Sequence, residues 1–228
     1  MLSALGAKPA SPRLVFGFFT RNAMTITIPF LDYTPEPGAH WELGTRLQQL
    51  SADEFYGFCQ ANPDLKLERR ADGTIEFLAM TGGTTGRRNT ELITELTIWN
   101  RQGRLGQVFD SSTGFQLPNG AVRSPDASWV SQARWEALTP AQQQKFPPLC
   151  PDFVVELASP SDSLTDLTTK LNEYIDNGCR LAWLIDPRAE TVRIFRTDGS
   201  VSVAKSFAET LGGEDVLPGF EFNLSLLK

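Results

Sequence analysis

At 228 residues the chain is long enough to bury most of its apolar surface in a single domain without cross-links. A net charge of -6 and a pI near 4.9 are the opposite of the basic balance of a dedicated nucleic-acid binder. They count against tight, autonomous DNA binding, but not against an enzyme that gathers cations around a carboxylate-held metal. Cys59, Cys150 and Cys179 are odd in number, far apart and without a C-x-x-C pair, so neither a disulfide framework nor a zinc knuckle is indicated, and a reducing cytoplasm fits best.

The chain opens with "MLSALGAKPASPRLVFGFFTRNAMTITIPF". Its apolar run is too short for a secretory core and no A-x-A-like site follows, so it reads as a tail, with translation from Met24 as the alternative. No stretch approaches the roughly 18 apolar residues of a membrane span. The single histidine, His40, lies in the Pro/Gly-rich "PEPGAHWELG", where a surface role is expected. Histidine-based metal sites, histidine nuclease motifs and a Ser-His-Asp triad are therefore poorly supported, and any chemistry falls to carboxylates, lysine and a hard metal. Residues 1–40 are taken as tail and lead-in, and residues 41–228 as one domain.

Ser51 and Glu54 in "LSADEFYGFCQANPD" form a capping-box pattern ahead of an apolar face of Phe55, Phe58 and Cys59, which predicts a short helix. "LKLERRADGTIEFLAM" carries two alternating runs around Asp72-Gly73, a hairpin signal. "TGGTTGRRN" lacks the G-K-[ST] ending of a phosphate-binding loop and reads as a flexible connection. It leads into a helix with Leu92, Leu96 and Trp99 at helical spacing and a stop at Gly103. Three strand candidates follow, "GQVFDSSTGFQL", "RSPDASWV" and "PDFVVELAS", with a polar helical excursion between the last two. Ser163 with Asp166 then opens a helix whose buried face is Leu164, Leu167, Leu171, Tyr174 and Ile175. The apolar "CRLAWLIDP" reads as a strand covered on both faces. A hairpin near Asp198-Gly199 and "LPGFEFNLSLLK" close the chain. The expected core is α/β (α+β), in the order helix, three strands, helix, strand, with the earlier helix and hairpin as decoration.

Alternation along "PDFVVELAS" puts Asp152 and Glu156 on one face, but about 13 Å apart, too far to share an ion. Glu156 therefore needs its partner from a neighbouring strand, where the lateral spacing is only about 4.8 Å. Asp126, taken as mid-strand in "RSPDASWV", is the candidate. An acid embedded in "FVVELA" is costly without a compensating cation. Lys170, near the border of the second helix's apolar face, can point back over the strand end. Taken alone it would be a surface ion pair with Asp166 or Glu173.

The "SPD" before one strand, the "PDFVVELASPSD" of the next, and the "K-x-x-E-Y-x-x-x-G" helix followed by "LAWLIDP" resemble the Uma-two-type restriction endonuclease family of the PD-(D/E)XK nuclease superfamily. The resemblance runs from about Ser51 to the C-terminus and is most specific from Ser124 to Pro187. It implies a restriction-endonuclease-like αβββαβ core, Asp126 and Glu156 as metal carboxylates, and Lys170 as the residue that orients or deprotonates the attacking water. The superfamily's E-x-K would place lysine at position 158, where this chain has Ala158; the resemblance implies that the lysine has moved to the helix. The expected reaction is hydrolysis of DNA phosphodiester bonds with Mg²⁺ or Mn²⁺. Arg87, Arg88 and Arg123 are candidate phosphate contacts, Glu95 is a candidate further acid, and a homodimer is the family-level expectation. The alternatives are a non-enzymatic or catalytically weak interaction module on the same fold, and a hydrolase of small phosphodiesters.

Overall fold

In a computed structural model the described residues are 47–228 together with the backbone of two short paired strands, β1 (Arg13–Phe16) and β2 (Met24–Thr27). The surface role expected for His40, and most of the lead-in before residue 41, lie outside them.

Helix α1 (Ala52–Ala61) begins at the capping box: the Ser51 side chain accepts from the Glu54 N–H while the Glu54 carboxylate accepts from the Ser51 N–H. The expected hairpin follows as β3 (Lys66–Arg69) and β4 (Ile75–Leu78), paired antiparallel. Its turn needs Gly73, at φ 86° with the Gln48 carbonyl oxygen only 2.1 Å from where a Cβ would stand; only glycine tolerates both.

The glycine-rich segment departs from expectation. Helix α2 (Gly83–Gly103) starts within it, capped by Gly82, so most of the segment is the helix's first turns rather than a flexible connection. The strand expected over "GQVFDSSTGFQL" divides in two, β5 (Gly106–Asp110) and β6 (Phe115–Gln116), which belong to different sheets. "RSPDASWV" divides likewise into β7 (Val122–Arg123) and β8 (Ala127–Ser131). The cause is Pro125, which has no N–H for the ladder. Asp126 therefore stands just before a strand rather than in the middle of one. The polar excursion is two short helices, α3 (Gln132–Glu136) and α4 (Pro140–Gln144). Then come β9 (Phe153–Leu157), α5 (Leu164–Asp176) and β10 (Leu181–Asp186). Strands β11 (Thr191–Arg196) and β12 (Val201–Ala204) form the second expected hairpin. Strands β13 (Thr210–Gly213) and β14 (Leu217–Asn223), with a 3-10 turn at Leu224–Leu227, end the chain.

The central sheet runs β12-β11-β10-β9-β8-β5. Only β9 and β10 pair parallel, as the crossover through α5 requires; the other neighbours are antiparallel. The mixed sheet flanked by helices carries the expected order of helix, three strands, helix and strand. Phe153, Val155 and Leu157 pack with Leu92 and Leu96 of α2 and Phe220 and Phe222 of β14. Val154 packs on the other face with Leu171 and Tyr174 of α5. Glu156 shares that second face. A smaller sheet, β4-β3-β7-β6, brings the hairpin against the SPD segment. All three cysteines are free, and no described helix is long and apolar enough to cross a membrane.

Candidate metal and catalytic site

Ala127 faces Val155 in the β8–β9 ladder. Continuing that antiparallel register by one residue sets Asp126 opposite Glu156, and directly opposed residues project to the same side. Asp126 is fixed at both oxygens: Oδ2 accepts the Leu157 N–H at 2.8 Å and Oδ1 accepts the Asn89 amide at 3.1 Å. Both acids line a cleft of about 490 Å³, bounded by the segment from Leu78 to Thr85 and by Ser159 to Asp162.

Lys170 enters this cleft from the second turn of α5. Its Nζ lies 2.9 Å from Glu156 Oε1 and 2.9 Å from Glu68 Oε1, so its partners are neither Asp166 nor Glu173. One turn on, the Tyr174 hydroxyl donates to Glu156 Oε1 at 3.2 Å. Burial pushes the Glu156 carboxyl up to about 7, with Lys170 opposing and Asp126 and Glu68 adding to the rise. Burial alone would lower the Lys170 pKa, but the Glu156 and Glu68 carboxylates outweigh it and hold it above the usual lysine range. This ammonium keeps its proton.

Asp152 stands apart from the cleft. It binds Arg134 at 2.9 Å and the Ser131 N–H at 2.8 Å, as its distance along β9 from Glu156 requires.

The candidate phosphate-binding arginines are engaged elsewhere. Arg123 is buried, with Nη1 at 3.2 Å from Glu68 and 2.7 Å from Glu76 and Nε at 2.7 Å from Glu173. It is the counter-ion of an acidic cluster. Arg87 and Arg88 donate to the backbone carbonyls of Leu226, Leu227 and Lys228, tying α2 to the C-terminal turn. Glu95 does not line the cleft. It lies six residues beyond Asn89 on α2, about 9 Å along the axis and on a different face.

Two residues that sequence reasoning passed over shape the site. Glu68 is 2% exposed and joins three partners, Lys170, Arg123 and the Ser124 N–H. Its place in the sequence, between Leu67 and Arg69 in a hairpin taken for decoration, carries no local signal of burial. Asn89 orients Asp126, and its own Oδ1 is buried with no partner among the described residues.

Among the described residues no three His, Cys, Asp or Glu side chains cluster as a ready metal-ligand set. What the cleft offers is two opposed carboxylates; the orphaned Asn89 oxygen is buried behind Asp126 and does not line the cleft. Such carboxylate donors fit Mg²⁺, which is held by one or two carboxylates while water and substrate phosphate complete its shell.

The family model described as "Uma2: Putative restriction endonuclease" matches residues 52–225. No curated protein matches. Among solved structures, the chain is similar to the crystal structure of "a putative nuclease belonging to DUF820" from Anabaena variabilis ATCC 29413, with a TM-score of 0.66 and 19% identity over 78% of this chain and 97% of that one.

Proposed function

The chain belongs to the Uma2 family of restriction-endonuclease-like proteins, and from that premise we propose that it is a metal-dependent nuclease that hydrolyses DNA phosphodiester bonds. The observation that carries the proposal is the meeting of Asp126, Glu156 and Lys170 at one sheet end, where an ammonium that keeps its proton lies 2.9 Å from a carboxylate opposed by a second acid.

Asp126 and Glu156 are the residues that would hold Mg²⁺ or Mn²⁺. Such an ion, when bound, supplies a Lewis acid for the phosphoryl oxygens and lowers the pKa of coordinated water. The Leu157 N–H and the Asn89 amide orient Asp126 in advance, so little reorganisation is needed when substrate arrives. Lys170 serves as an orienting and charge-stabilising group. It is poorly placed to act as a base, because two carboxylates oppose loss of its proton.

The test is conversion of supercoiled plasmid to nicked or linear DNA by the full chain in Mg²⁺, Mn²⁺ and EDTA. Metal-dependent conversion is expected, lost in Asp126→Asn and in Glu156→Gln. Absence of conversion in both metals, or unchanged conversion by both variants, overturns the proposal. Light scattering on the same sample reads the dimer that cutting two strands would call for.

A further inference from the structure

Two lysines line the site cleft, and only one of them is neutralised. Lys170 is held between Glu68 and Glu156. Lys66, at the start of β3, lines the same cleft, is half-buried, and makes no ion pair or hydrogen bond through its ammonium among the described residues. We propose that Lys66 is the phosphate-binding residue of this protein, holding a phosphodiester adjacent to the one addressed by Asp126 and Glu156. This rests on the nuclease assignment above.

Three observations carry it. The first is orientation: Lys66 and Glu68 are two apart on β3 and so share a face. Glu68 reaches Lys170, so the Lys66 side chain leaves the strand on the side of the reacting groups, about 7 Å further along. That separation is comparable to the distance between neighbouring phosphates on one strand. The second is continuity. Lys66 and Ser124 line both the site cleft and a second cleft of about 440 Å³, whose walls include Leu65, Ser111, Ser112 and Phe146. A chain passing Lys66 thus has a trough with hydroxyl and apolar walls on the far side, suited to a sugar and a base. Asp64, the acid lining that second cleft, makes no ion pair with Lys66 among the described residues.

The third is electrostatic. A half-buried ammonium without a counter-ion carries a desolvation cost that an arriving phosphate removes. Arg87, Arg88 and Arg123 are engaged with carbonyls or carboxylates and would have to give up those partners first. Lys66 has no such partner to give up.

The experiment measures cleavage kinetics in Mg²⁺, and fluorescence anisotropy of a labelled oligonucleotide in Ca²⁺ across a salt series, for wild type, Lys66→Ala and Lys66→Arg. Lys205→Ala, at an exposed lysine after β12, is the control for general charge. Lys66→Ala should raise KM roughly tenfold, the scale of one charge-assisted hydrogen bond, with kcat within about twofold of wild type. Its slope of log affinity against log salt should be shallower by about 0.9 on duplex or about 0.7 on single strand. Lys66→Arg should behave as wild type and Lys205→Ala should change nothing. If wild type cleaves while Lys66→Ala keeps its KM and salt slope, or Lys205→Ala loses as much, the Lys66 assignment falls and the nuclease assignment stands. A wild type that neither binds nor cleaves overturns both.

Discussion

Lys170 bridges two acids that are almost wholly buried, Glu68 and Glu156. As a surface lysine it would be worth at most about 1 kcal/mol. In this position its removal leaves two desolvated carboxylates without their shared cation, which costs about 3–5 kcal/mol. We predict that Lys170→Ala lowers the melting temperature by on the order of 10 °C, and that adding Glu156→Gln recovers part of the loss. A Lys170→Ala melt within 2 °C of wild type would show that the bridge does not hold in solution. Glu156 itself gives a pH signature. Its folded pKa is raised from 4.5 to about 7, so the metal-free folded state binds the extra proton. The associated stability is present below the unfolded value and is lost as pH rises through the folded one. In EDTA, the melting temperature of Glu156→Gln should gain on wild type progressively between pH 4.5 and 7. A difference that stays constant across that window would contradict the raised pKa.

At the scale of elements, the β3–β4 hairpin is part of the site rather than decoration. It delivers Glu68 to Lys170 and, with Glu76, surrounds Arg123. In the β3–β4 ladder Glu68 and Glu76 stand directly opposite each other, a repulsive pair that Arg123 neutralises while also binding Glu173 of α5. Arg123→Ala should therefore cost about 3–5 kcal/mol. It should also raise amide hydrogen exchange in residues 66–78 more than in β9 or β10; uniform protection would mean that the hairpin is held by its apolar contacts alone. The same contacts show what could be read from the chain. Local signals announced the Ser51–Glu54 box, the Asp72-Gly73 turn, the amphipathic face of α5 and the apolar β10, because each depends on residues a few positions apart. Ser163 does accept the Asp166 N–H as its pattern suggests, although Asp166 returns no bond to the cap. Glu68, Arg123 and Asn89 act across 37 to 102 residues of sequence, and no local period reports such partners. The opposition of Asp126 and Glu156 was legible because strand alternation and lateral spacing left few choices. The division of "RSPDASWV" at Pro125 was not, although the proline was in view, because its two halves join different sheets.

For the whole molecule, the question is how a chain of net charge -6 holds a polyanion. The site cleft is lined by three carboxylates, Asp126, Glu156 and Asp162, against the ammonium groups of Lys66 and Lys170. Without metal, and above about pH 7 where Glu156 is ionised, the balance repels phosphate. One divalent cation at Asp126 and Glu156 would reverse it, since a bound ion is often the largest local charge in its site. Metal should accordingly control binding as well as cleavage. A labelled oligonucleotide should show no saturable anisotropy change in EDTA at physiological ionic strength, and saturable binding in Ca²⁺. Glu156→Gln removes one acid but keeps the neutral side chain's shape, so it should weaken the dependence on metal from both directions: tighter residual binding in EDTA and a smaller gain in Ca²⁺. If wild type binds equally well in EDTA and in Ca²⁺, the attraction comes from a surface other than this cleft, and the acidic balance is no barrier to DNA.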